Sequence, residues 1–268
     1  SIALSHGTME TDVLVYDTAL TVPRTMLIEQ FSTAVCGWCP EGHRNLHEGL
    51  EGRDNYVWII HHCGFYTDAL TNEASQANLR YYNSSSTFAP AMMLDRTNYL
   101  GQSGPVASAP RGQELSALLD RAQLQPAFAG VEIGPLAFDE ASRHLSGEVS
   151  GLFRDTSLVE GARLMVYVVE DSIMMEQKDY SDDTPATIPD YRHMNAVRAS
   201  LTGNYGIVPE VQPDGSFRFE VEYSLPALVT EGQARPLNVP YRTRLVAFLY
   251  HYDASDPNNC RVLNAAQS

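Results

Sequence analysis

Two cysteines three positions apart, in Cys36-Gly37-Trp38-Cys39-Pro40, stand between an apolar run and an amphipathic one, and nothing else constrains the chain as much. The run before them, Thr25-Met26-Leu27-Ile28-Glu29-Gln30-Phe31, reads as a buried strand. The run after them, Glu41 to Glu51, carries Leu46 and Leu50 at helical spacing with polar residues between. Strand, two-cysteine turn and helix is the setting in which a C-x-x-C works as a redox motif. A thiol at a helix N-terminus faces unpaired backbone N–H groups and the positive end of the helix dipole. Such thiols titrate at about 3.5 to 7.5 instead of about 8.5.

Composition narrows the partners. Eighteen basic against 33 acidic residues give a net charge of −15. That balance opposes nucleic-acid binding, which neutralises phosphates with Lys and Arg, and opposes docking on anionic lipid. No run reaches the ~20 apolar residues that span a bilayer. The first residue is Ser1 and no signal peptide is visible, which suggests a processed or trimmed chain. Four cysteines are compatible with an oxidising compartment.

The order of elements predicts two units after an extension. Residues 1–22 read as an N-terminal extension with an edge strand at Val13–Tyr16. Over 23–125 the expected elements are a strand near 25–31, a helix from Pro40 to Gly52, and a strand at Tyr56–His62. A helix over Ala69–Tyr82 capped by Asp68 follows, then a strand opened by Pro90 with a hairpin partner at Asn98–Gly101, and a helix over Arg111–Gln123. This β-α-β-α-β-β-α order is that of an α/β thioredoxin-like domain. From 126 to 268 strand candidates recur at 129–133, 144–153, 162–170, 192–201, 217–225, 243–252 and 262–265, with turn signals between them. That spacing predicts an all-β immunoglobulin-like sandwich domain.

In a site of this kind Cys36 attacks a substrate disulfide as thiolate and Cys39 resolves the mixed disulfide. Gly37 and Trp38 between them shape access. Pro90 holds the place of the proline that faces such dithiols, its bond to Ala89 is expected to be cis, and Ala89 would then pair with an extended substrate. Thioredoxins carry a buried acid six residues before the first cysteine, and here that place is Gln30. Glu29 is adjacent, but strand alternation points it to the other face. Two readings therefore stay open: a thiol–disulfide oxidoreductase acting on protein thiols and disulfides without a cofactor, or a non-catalytic binding module with a structural disulfide.

Leu27-Ile28-Glu29-Gln30-Phe31-Ser32 followed by Cys36-Gly37-Trp38-Cys39-Pro40-Glu41-Gly42-His43 resembles the outer-membrane-protein-28-related family of Gram-negative anaerobes. Val168-Val169-Glu170-Asp171, Tyr191 to Arg198 and Val262-Leu263-Asn264 resemble that family's C-terminal strings. The resemblance implies a thioredoxin-like unit joined to a sandwich that offers a surface to a partner. It also implies an extracytoplasmic address at the outer membrane, periplasm or cell surface, held through a lipid anchor this chain does not carry.

Other constellations compete. Cys39, His43 and His47 share a helix face and with Cys36 could suit zinc or copper, but a core histidine is the commoner fate, and no metal is assigned. His61 and His62 should face opposite sides of their strand. A Cys63–Cys260 bridge would stabilise by up to about 5 kcal/mol, and either thiol could equally stay free. Glu170, Asp171, Gln177, His193, Asn195 and Arg198 form a polar set that reads as a structural network or a patch at a domain junction. Asp179, Asp182 and Asp183 read as an exposed acidic loop.

Overall fold

A computed structural model describes residues 16–83, 88–108, 110–181, 186–226 and 242–268. The expected edge strand at Val13–Tyr16 lies almost wholly outside them. The first half holds β1 (Met26–Ser32), α1 (Cys39–Leu50), β2 (Tyr56–His62), α2 (Glu73–Asn83), β3 (Ala91–Leu94), β4 (Ala107–Ser108) and α3 (Gly112–Gln123). β1 runs parallel to β2 from Met26↔Tyr56 to Ser32↔His62 and antiparallel to β3, giving the order β2-β1-β3-β4 of a thioredoxin fold. β1 is buried along its whole length because both its faces are covered. Leu46 and Leu50 of α1 and Leu115 and Leu119 of α3 pack on Met26, Ile28, Met92 and Leu94. Each such side chain contributes roughly 1.5–3 kcal/mol by leaving water. On the other face α2 sets Ala74 against Leu27, Val57 and Ile59.

Two boundaries differ from expectation. α2 begins at Glu73, not Ala69, because Asn72 receives the Ser75 N–H and acts as its cap, while Asp68 is engaged elsewhere. The partner of β3 is β4, not Asn98–Gly101. Asp95 and Arg96 adopt left-handed backbone angles (φ 49° and 53°), which turns the chain away and carries Arg96 inward.

The second half holds β5 (Ala129–Ile133), β6 (Ala137–Asp139), β7 (His144–Phe153), β8 (Ala162–Glu170), β9 (Ile173–Asp179), β10 (Ala186–His193), β11 (Ala196–Ser200), β12 (Ser216–Ser224), β13 (Thr243–His251) and β14 (Arg261–Gln267). It does not close a sandwich from its own strands alone. β12, β7 and β5 form one leaf, with β6 on β7, but the other leaf is part of an eight-stranded sheet ordered β14-β13-β8-β11-β2-β1-β3-β4. Strands from both sides of residue 126 are therefore hydrogen-bonded into the same sheet. The junction is β11, which lies parallel to β2 at Ala196↔Ile60, where the Ile60 N–H donates to Asn195 O at 2.7 Å. An uncovered β2 edge would present unpaired backbone groups, and β11 removes them.

β8 and β13 read as solid apolar runs for the same reason as β1. Leu164, Val166, Val168, Leu245, Ala247 and Leu249 meet the three-stranded leaf, while Met165, Tyr167, Val169, Val246, Phe248 and Tyr250 face the interior shared with β1 and β2. The sheet curls until its far strand reaches the turn after β3: Val262 N donates to Asp95 O at 2.8 Å. The expected strand 192–201 breaks at Asn195, whose φ of 58° separates β10 from β11. β9 and β10 leave the sheet as a hairpin of their own.

Candidate functional site

The carboxyl ends of parallel β1 and β2 and the amino end of antiparallel β3 meet at one edge, so the segments after Ser32, after His62 and before Ala91 cluster there. The first carries the dithiol. Cys36 N donates to Thr33 O at 3.0 Å and Cys39 N to Cys36 O at 3.3 Å, a tight turn that delivers Cys39 to the first residue of α1. Cys36 and Cys39 are disulfide-bonded. Cys39 is fully buried, Cys36 partly open, and Trp38 53% exposed. Trp38 is the cap residue and makes no side-chain capping bond, so the helix-end N–H groups gain no side-chain partner from it. Pro40 suits the first turn, where its missing N–H costs nothing.

Pro90, after a cis Ala89–Pro90 bond, packs on α1 just past the dithiol: a Cβ on Gly42 would lie 2.7 Å from Pro90 Cβ and 3.5 Å from Gln30 Nε2. Gln30 is fully buried and neither amide atom finds a partner, so the place of a thioredoxin's acid holds a neutral, unsatisfied group. Glu29 faces away, as alternation requires. Its carboxylate takes two 2.9 Å hydrogen bonds from Arg96 and others from Asn78 and the His61 ring. The Arg96 guanidinium lies 5.1, 4.7 and 4.4 Å from the Tyr82, Phe248 and Tyr250 ring centroids. Burial alone would raise the Glu29 pKa, but Arg96 and His61 hold it down at about 2. Burial lowers His61 in turn, with Glu29 opposing.

The sequence pattern missed the β9–β10 hairpin that clamps this turn. Gln177 Nε2 donates to Cys36 O at 2.9 Å, Lys178 N to Ala34 O at 2.8 Å and Tyr180 N to Gly37 O at 2.8 Å. The Tyr180 ring lies on Gly37 and meets Trp38 edge-on at 6.1 Å. From the opposite side Asp68 accepts from Ala34 N and Leu70 N and contacts the His62 ring. The available signal was alternation: Ile173, Met175 and Gln177 are buried while Glu176 and Lys178 are exposed.

Gly37 is the point of closest approach, since a Cβ there would lie 2.3 Å from Tyr180 ring carbons. Gly37→Ala is expected to displace Tyr180 and destabilise by about 1–3 kcal/mol, the usual range for overpacking. Urea denaturation checks it, and Tyr180→Ala in the same chain should recover most of the loss. An unchanged midpoint in Gly37→Ala would show that the ring yields freely.

The remaining candidates separate. His43, one turn after Cys39, contacts Tyr191 OH through Nδ1 at 3.2 Å, and burial with His62 and His193 nearby pushes it down to about 3. His47 is exposed, and among the described residues no three His, Cys, Asp or Glu side chains converge to hold a metal. His61 and His62 do face opposite sides, contacting Ser75 and Asp68 respectively. Cys63 and Cys260 share one apolar cluster but are free, and burial pushes the Cys63 thiol well up. The polar set divides into four. Arg198 pairs with Glu170 at 3.3 Å, Asp171 and Asn195 bind Arg244, Gln177 holds the dithiol turn, and His193 meets His62 edge-on. Asp179 accepts from Ser181 and lies near Arg44, whereas Asp182 and Asp183 lie outside the described residues.

Among the described residues no helix is long and apolar enough to cross a membrane. No protein-family model matches the chain, and no curated protein matches it by sequence. Its structure is similar to HBP35 of Porphyromonas gingivalis, with a TM-score of 0.72 over 92% of this chain and 75% of that one. At 18% identity, what the two demonstrably share is the fold: a thioredoxin-like layer continued into added β-structure.

Proposed function

We propose that this is an extracytoplasmic protein that exchanges thiols and disulfides with protein substrates through Cys36 and Cys39. The observation that carries the reading is a partly open Cys36 bonded to a buried Cys39 at the start of α1, on the helix turn where Pro90 packs. Val35, Trp38, Phe65, Tyr66 and Phe88 are exposed on the three segments at that edge, an apolar surface suited to an unfolded or extended chain. A substrate thiolate attacks Sγ of Cys36; the 36–39 bond breaks and its electron pair leaves on Cys39 sulfur. A second substrate thiolate then attacks the substrate's own sulfur in the mixed disulfide and expels Cys36 as thiolate. The substrate dithiol is oxidised by two electrons and the protein's disulfide is reduced. The reverse sequence starts from the Cys36 thiolate, and Cys39 resolves. Direction follows from the potential of the pair, near about −270 mV for a reductant and about −120 mV for an oxidant. The extracytoplasmic address and lipid anchoring rest on the likeness to the outer-membrane-protein-28-related family.

Cys39→Ser removes the resolving thiol, so the variant is expected to accumulate partner proteins on Cys36 that reductant releases. Recovery of none from the native compartment counts against exchange. A second reading, a surface module with a structural disulfide whose β-structure binds a partner, is favoured by the amide at Gln30 and by Tyr180 over Gly37. It requires reduced Cys36 to alkylate slowly at pH 6, and rapid alkylation there removes it.

A further inference from the structure

A cleft of about 670 Å³ opens between α1, β2 and β10, apart from the exposed surface around Cys36. That volume is typical of small-molecule sites. Its walls include Tyr56, Trp58, Tyr191 and Met194, which offer ring faces and a thioether to a flat apolar body. Three polar atoms of lining residues are buried without a partner: Trp58 Nε1, His43 Nε2 and His193 Nε2. His193 is 2% exposed, its ring edge-on to that of His62. The indole N–H of Trp58 can only donate, so it calls for an acceptor. Burial and the neighbouring His62 lower His193 to about 4, which keeps that ring neutral at physiological pH.

The charge at the mouth runs against the rest of the molecule. Arg44, Arg192 and Arg244 line the cleft with a single acidic side chain, Asp171, in a chain whose net charge is −15. Asp171 is bound to Arg244, and Arg44 stands 3.7 Å from Asp179. Arg192 makes no ion pair among the described residues. A wall of rings, buried nitrogens without partners along the floor, and a guanidinium without an ion pair at the rim define a ligand with a complementary layout.

We propose that this cleft binds a one- or two-ring hydroxyaryl carboxylate, its ring against Tyr191, its hydroxyl on the unpartnered Trp58 indole N–H, and its carboxylate on Arg192. The site does not depend on the dithiol chemistry. Isothermal titration of the full chain with 6-hydroxy-2-naphthoate should show saturable 1:1 binding. Lacking the carboxylate, 2-naphthol should bind at least about tenfold more weakly, and 2-naphthoate, lacking the hydroxyl, should also lose about tenfold. Arg192→Ala, at an exposed side chain, should reproduce the carboxylate loss, and Trp58→Phe the hydroxyl loss. No saturable heat at millimolar probe overturns the proposal, as does binding indifferent both to Arg192→Ala and to removal of the carboxylate.

Discussion

Replacing Glu29 with alanine is expected to destabilise the protein by about 3–5 kcal/mol, the usual result of stripping one partner from a buried ion pair. Glu29 is fully buried, and its two carboxylate oxygens satisfy Arg96, Asn78 and the His61 ring. Without it the Arg96 guanidinium, 2% exposed among three aromatic rings, keeps its charge and loses its counter-ion. The rings return about 2 kcal/mol for each desolvated contact but carry no negative charge and accept no bidentate hydrogen bonds, so they cannot replace the carboxylate. The loss should depend on pH in a defined direction. Glu29 titrates near 2 in the fold against 4.5 as a free side chain. Its stabilisation is therefore complete above about pH 4.5 and disappears as pH falls toward 2, an amount of about 3 kcal/mol. Urea midpoints of wild type and Glu29→Ala should differ most above pH 5 and converge in acid. Changing Glu29 and Arg96 together to leucine and methionine should recover much of the loss, because an apolar pair leaves no buried charge. A small difference at pH 7, or one that grows in acid, would refute this account of the interior.

The partners of Glu29 also mark where sequence stops being informative. The dithiol turn, α1, the paired β1 and β2 and the proline before β3 are local: periodicity, a proline and two cysteines specify them within about 70 residues. Glu29 was legible as facing away from the dithiol, but its partner was not. Arg96 follows β3 in Asp95-Arg96-Thr97-Asn98, a string with the composition of an exposed turn, and only left-handed angles at 95 and 96 send it inward. The sandwich strands were recognisable one by one, yet β8, β11 and β13 carry no mark saying that they continue the thioredoxin-like sheet. Pairing of β11 with β2 is an edge-to-edge choice between segments some 135 residues apart, settled by backbone groups identical in every residue. The hairpin over Gly37 escaped because its buried row is Ile173, Met175 and Gln177. A buried glutamine looks solvent-facing until the carbonyls it serves, here Cys36 O and Thr33 O, are in place. In each case the deciding interaction is long-range and polar, the class that hydrophobic periodicity cannot report.

Gln30→Glu should move stability and exchange rate in opposite directions. Residue 30 lies beneath the first turn of α1, close to Gly42, at the strand position from which a thioredoxin's acid takes the proton of its resolving thiol. An amide there can neither accept nor release a proton, so water must serve Cys39 in its place. A carboxylate at that position acts as general base, and positioned bases are worth about 10²- to 10⁴-fold at their best. A gain of about tenfold or more in disulfide reduction by the pre-reduced variant is therefore expected, measured by turbidity with insulin or by fluorescence with a quenched peptide. The stability change follows from the same burial. No hydrogen-bond donor now reaches either Gln30 amide atom's position, so a glutamate there has its pKa raised above the unfolded value. The protonated acid is tolerated at low pH. As pH rises through the unfolded pKa, near 4.3, the unfolded chain ionises more readily than the fold, and stability falls. The variant should match wild type in urea midpoint near pH 4 and fall below it at pH 7, while its exchange rate gains over the same interval. A variant that is destabilised at pH 7 but no faster would mean that proton removal from Cys39 does not limit exchange. The clamp of Gln177 and Tyr180 on the dithiol turn would then be the element restraining it.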